Sequence, residues 1–142
     1  MPYGLSKSKI LSGRQCLKRL WLEVHQPELA QQSEASAQVI QAGFEAHEVA
    51  RGLFPGGTLI EYGGDLRTAL EDTRKALEHS PETPLFEGTF EHAGVLVRTD
   101  LLFPDPAAAR LVEVKSASEV KNYHIDDCAV QAWVLEGAGV LL

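Results

Sequence analysis

Asp100 stands in the run "GVLVRTDLLF", and Glu113 and Lys115 stand in "RLVEVK", with twelve residues between Asp100 and Glu113. Both runs carry the branched and alternating apolar pattern of strands that fill a core. Glu113 and Lys115 are two positions apart, so on a strand they share a face, roughly 6.6 Å apart along the chain. A buried carboxylate without a partner is destabilising, so Asp100 needs a cation or several donors beside it. If the two strands pair through the turn "PDPAA", Asp100 and Glu113 converge. Two carboxylates that close repel unless a proton or a divalent cation lies between them. Oxygen ligands suit magnesium or manganese, which leave positions for water and substrate phosphate. Such an ion lowers the pKa of water and neutralises charge on a phosphoryl centre, and Lys115 could orient or activate the water or stabilise the developing charge. The plainer alternatives are a Glu113–Lys115 pair that only keeps an exposed strand soluble and an Asp100 paired with Arg98 or Lys115.

The rest of the chain supplies elements to position these groups. Ser6 or Ser8 can cap a first helix running to about Val24, with Ile10, Leu11, Leu17, Leu20 and Trp21 as its stripe and Gly13 as a weak point. A second helix is predicted from about Ser33 to Leu53, where Ile40, Phe44, His47 and Arg51 follow helical spacing. "TLIEY" reads as a short strand, and Asp65 caps a third helix with Leu66, Ala69, Leu70, Thr73 and Leu77 on one side. From Pro84 the period changes to two. "LFEGTFE" and "GVLVRTDLLF" form strands joined by a tight turn through His92, Ala93 and Gly94, and "RLVEVK" is a third. A helix follows from about Asn122 to Leu135, and "GVLL" begins a further strand. This order predicts one α/β (α+β) domain over 1–142, helical over 1–80 and strand-rich from 84, with a mixed central sheet flanked by helices. The last apolar strand, starting where the sequence stops, suggests that the domain is C-terminally incomplete.

Composition narrows the function class. The chain has 142 residues, 44% hydrophobic and 23% charged, which is ordinary for a soluble domain with a real core. It contains no run near the ~20 apolar residues of a membrane span and no secretory leader, so a cytoplasmic protein is expected. Cys16 and Cys128 make no disulfide framework or metal knuckle, and two cysteines cannot hold a four-thiolate cluster. The net charge of −7 argues against a protein that simply coats nucleic acid. Residues 1–22 nevertheless contain Lys7, Lys9, Arg14, Lys18 and Arg19 and no acid. They form either a local phosphate-contacting surface or a solvated helix face.

Asp100 followed by Glu113-Val114-Lys115 resembles the D…ExK signature of the PD-(D/E)XK nuclease superfamily. "GFEAH" (Gly43 to His47) resembles the GxxxH motif of its RecB-like branch, which includes the CRISPR-associated RecB-type nucleases. "QAWVL" resembles that branch's QxxxY motif, with Leu135 in place of the tyrosine. The pieces occur in the family's order from residue 43 to 135, and "LSKSKILSGRQCLKRLWLE" resembles the opening of RecB-like chains in which this module precedes a longer part. The resemblance implies a restriction-endonuclease-like core and metal-dependent cleavage of DNA, in repair or defence. It places His47, Asp100, Glu113 and the Val114 carbonyl around magnesium or manganese, with Lys115 assisting the attack of water. It gives Gln131 a place at the site or on the DNA, where the residue's spacing alone allows a solvent-facing glutamine. Gly43 would let its helix approach the sheet. Glu87 is either an additional acid or a partner of Arg98 across the hairpin. Tyr123 and His124 could line the groove, and Lys7, Lys9, Arg14, Lys18, Arg19 and Trp21 are candidate DNA contacts. Cys16 matches the first cysteine of cluster-binding relatives, but the later trio is missing, so no iron–sulfur cluster is expected. The alternative function is a noncatalytic or decayed module of the same fold that binds nucleic acid or a protein partner.

Overall fold

The computed structural model describes residues 4–31 and 34–142 as a mixed α+β fold with two mixed sheets. In chain order the elements are β1 (Leu5–Ser6), α1 (Lys7–Gln15), α2 (Leu17–His25), a 3-10 turn (Pro27–Leu29), α3 (Glu34–Gly52), β2 (Thr58–Leu59), α4 (Leu66–His79), β3 (Leu85–Phe86), β4 (Thr89–His92), β5 (Val95–Arg98), β6 (Leu101–Phe103), β7 (Arg110–Val112) and α5 (Asn122–Gly137). Among the described residues no helix is long and apolar enough to cross a membrane.

The first helix expected from the sequence is two helices. Cys16 is extended, with φ −163°, and serves both: its N–H donates to Ser12 O at 2.9 Å, and its carbonyl accepts from Leu20 N at 3.2 Å. Buried Ser12 donates through Oγ to Glu23 at 2.9 Å and so ties the two helices together. The break therefore follows from helix-to-helix contact and falls beyond Gly13. The caps read from sequence are present: Ser6 Oγ accepts from Lys9 N, and Asp65 accepts from Arg67 N at 3.0 Å. Leu5 and the capping Ser6 itself form a short parallel strand against β5.

The hairpin from 85 to 103 is the centre of the fold. Ala93 and Gly94 both have positive φ, 48° and 77°, which is the two-residue turn that matches the twist of antiparallel strands. Each long strand expected from the sequence is broken once. β4 and β5 pair with β1 in a three-stranded sheet, while β3 and β6 join β2 and β7 in a four-stranded one. The register is the same on both sides of the break, so Glu87 and Gly88 stand opposite Asp100 and Thr99. Two backbone bonds hold them there: Glu87 N to Asp100 O at 3.2 Å and Thr99 N to Gly88 O at 2.8 Å. Glu87 has φ 56°, a left-handed conformation that non-glycine residues rarely adopt, and this turns the chain from one sheet into the other.

Leu85, Phe90, Val95, Val97, Leu102, Val134 and Leu135 fill the core between the sheets and α5, with Ala69 of α4 and Ile60 closing it. "RLVEVK" is a strand only over its first half, and Glu113 and Lys115 lie just past its end. Residues 138–142 make no strand. Leu141 instead accepts a single backbone bond from Ala109 at 2.7 Å, and Val140 and Leu142 pack on the core.

Candidate metal centre

The break in the hairpin puts two carboxylates at the seam of the sheets. Glu87 projects from its strained position and Asp100 from the facing break between β5 and β6, and α3 brings His47 against both. His47 Nδ1 is 3.3 Å from Glu87 Oε1, and His47 Nε2 is 3.6 Å from Asp100 Oδ2. One donor atom from each of the three residues lies within 4.8 Å of the others. Glu87 thus stands beside Asp100 and His47, and it also pairs with Arg98, as the hairpin register suggested. Arg98 Nη2 is 3.6 Å from one of its oxygens, and Arg51 Nη1 is 3.5 Å from the other.

Asp100 is buried and accepts the Val114 N–H at 2.6 Å. Burial, and then the charge of Glu113, push its carboxyl up to about 6 against the help of that N–H, His47 and Lys7. Its negative charge is therefore under-compensated by the protein alone, and a divalent cation would relieve it. The donor set of one imidazole and two carboxylates fits a first-row divalent ion, and the nitrogen tilts the preference from magnesium toward manganese. Val114 meets Asp100 through its N–H.

Glu113 departs from the expected ligand set. Its Oε1 accepts from Lys7 at 3.2 Å and from Lys115, and its Oε2 accepts from Gln131 Nε2 at 2.7 Å. Asp127, one turn before Gln131 on α5, completes an alternating square of two lysines and two carboxylates. Asp127 is 2.9 Å from Lys7, 2.7 Å from Lys115 and 3.1 Å from Gln131 Nε2. Burial works against the charge of Lys115, but its hydrogen bonds to Asp127 and Glu113 more than offset this and hold it protonated above the ordinary lysine range. Burial likewise disfavours the Asp127 carboxylate, and Lys115 and Lys7 reverse that, so its pKa lies below the usual value.

Gln131 is fully buried, not solvent-facing. Its amide nitrogen serves both acids, which fixes its orientation and leaves Oε1 without a partner among the described residues. Gln131→Leu keeps the volume and removes two bonds to charged acceptors. It is expected to lower unfolding free energy by about 2–4 kcal/mol in urea titration. A change below about 0.5 kcal/mol would mean that the amide does not hold the square.

Other expectations divide. Leu135, in the place of the tyrosine, is a core residue. Gly43 does not serve close approach, because a Cβ there would meet nothing within 4 Å. His124 is buried and accepts the Lys121 N–H at 3.1 Å, closing the first turn of α5, while Tyr123 is exposed against its ring. Among the basic residues, Lys7 turns inward to the square, Arg14 pairs with Asp126 at 3.1 Å and Arg19 with Glu23 at 2.8 Å. Lys9 and Lys18 make no ion pair among the described residues, and Trp21 is half exposed beside His25. Cys16 and Cys128 are free and far apart in the sequence. Sequence reasoning did not include Asp127 or the inward role of Lys7. Asp127 had a signal, its position one helical turn from Gln131, whereas Lys7 had none, since its partners lie over a hundred residues away. No protein-family model, curated protein or solved structure matches this chain.

Proposed function

We propose that the domain is a metal-dependent deoxyribonuclease of RecB-like type, acting on DNA phosphodiesters with manganese or magnesium. The observation that carries this reading is the convergence of His47, Glu87 and Asp100 on one point, within a fold that also brings Glu113, Lys115 and Gln131 together. His47, Glu87 and Asp100 would hold the ion, which would supply charge neutralisation at the phosphorus and a more acidic water.

The roles of the protein groups follow from their surroundings. Lys115 is held too firmly protonated to take a proton at neutral pH, so its part is to donate hydrogen bonds and offer positive charge to the phosphate as negative charge builds. Glu113 and Asp127 aim that ammonium, and Gln131 braces both acids from the core side. The Val114 N–H keeps Asp100 turned toward His47. Arg51 and Arg98 fix Glu87 in its unusual conformation. Exposed Lys18 and Trp21 leave the N-terminal helices able to guide DNA.

The test is incubation of the protein with end-labelled single- and double-stranded DNA in manganese, with a chelator control. Cleavage that the chelator abolishes is the expected result. Absence of cleavage on both substrates would overturn the nuclease reading and favour the binding module.

A further inference from the structure

A cleft of about 710 Å³ opens between α3 and residues 59–63, and His47 and Glu87 are among the residues that line it. That volume lies within the range of about 300–1,000 Å³ typical of ligand sites. Apolar side chains on both of its sides are exposed: Phe44 is 65% exposed, Tyr62 46% and Leu59 45%. The Arg98 guanidinium lies over the Tyr62 ring at 5.2 Å and also donates to Ile60 O at 3.3 Å, so the plane of the ring is fixed from one side.

The charges in the cleft select among ligands. Arg51 and Arg98 are both engaged by Glu87, and the remaining charged residues of the wall, Glu48 and Glu61, are acids. The cleft therefore disfavours a phosphate, whose place is at the metal centre. It suits a flat neutral ring that stacks on an aromatic face.

We infer that this cleft is a subsite for one unpaired nucleobase of a DNA strand, stacked on the Tyr62 ring, with Phe44 on the α3 side of the cleft, and next to the phosphodiester engaged at the triad. The inference rests on the nuclease reading and adds a substrate class to it. A paired base remains in its own duplex stack, so occupancy of the subsite selects single-stranded DNA or frayed ends. Stacking is tolerant of sequence because every base has a π-face, so the selection is for strandedness and not for a base.

The test is fluorescence anisotropy of a fluorescein-labelled oligothymidylate titrated with the full chain in calcium. Tyr62→Ala is expected to raise Kd by roughly tenfold or more. Tyr62→Phe, which keeps the ring without the hydroxyl, is expected to restore wild-type binding, and Lys115→Ala to leave the dependence on Tyr62 intact. Tyr62 lies in an irregular, half-exposed segment, so the variants are expected to melt as the wild type does. Equal binding by wild type and Tyr62→Ala, or no binding by the wild type, overturns the subsite. Tyr62-dependent binding without manganese-dependent cleavage would leave the subsite standing and remove the nuclease. Cleavage without dependence on Tyr62 would do the reverse.

Discussion

Lys115→Ala is expected to reduce manganese-dependent DNA cleavage by at least ~100-fold while the fold persists. The ammonium is the donor that two carboxylates hold, and it is partly exposed on the side where substrate must come. Its loss leaves Glu113 and Asp127 still paired with Lys7 and still bonded to Gln131, so the square is weakened and not emptied. Cleavage rates measured beside near-ultraviolet circular dichroism separate the two effects. A variant with native dichroism and activity within a few-fold of wild type would remove Lys115 from the chemistry. Lys115→Arg is a useful companion because it keeps the charge but changes the donor geometry, and partial activity there would identify charge as the dominant contribution.

Asp100→Asn is expected to stabilise the metal-free protein at pH 8 and to abolish its thermal stabilisation by manganese. The wild-type carboxyl is raised from 3.8 to about 6, so the folded state keeps a proton that the unfolded chain has lost. Stability from that proton is fully present below about pH 4 and is lost as pH rises through about 6. Ionised Asp100 then carries a penalty of at most about 3 kcal/mol. Asparagine removes the charge and can still accept the Val114 N–H, so its advantage should grow between pH 4 and 7 and then level off. Asp127 has its pKa lowered and contributes with the opposite slope, but it does so in both proteins and cancels in the difference. Melting curves of both proteins from pH 4 to 8, with and without manganese, make the comparison. An unchanged manganese shift in the variant would place the ion elsewhere.

Local pattern made several elements legible in the sequence. The switch of period at Pro84 and the Ala93–Gly94 turn located the hairpin, and alternation placed Asp100 across from the start of the Glu113 segment. The Asp65 cap and the helical stripe located α4 to within a residue. Failures came where distant contacts decide. The helix breaks at Cys16 because Ser12 reaches Glu23, and no local propensity shows that. The turn at Glu87 was hidden because glutamate has no preference for positive φ, and that turn brings Glu87 to His47 and Asp100, while Glu113, also near Asp100, turns its carboxylate to the lysines. The segments that carry the quoted motifs do lie near one another in the fold, but their order could not tell which acids face His47 and which face the lysines.

The square draws Lys7, Glu113, Lys115 and Asp127 from opposite ends of the sequence. A polypeptide emerging from the ribosome N-terminus first carries Lys7 long before any partner exists, and Glu113, Asp127 and Gln131 follow over a hundred residues later. The square therefore closes only after residues 113–131 have been made and have folded back onto Lys7, so its geometry reports completed tertiary structure and not any local segment.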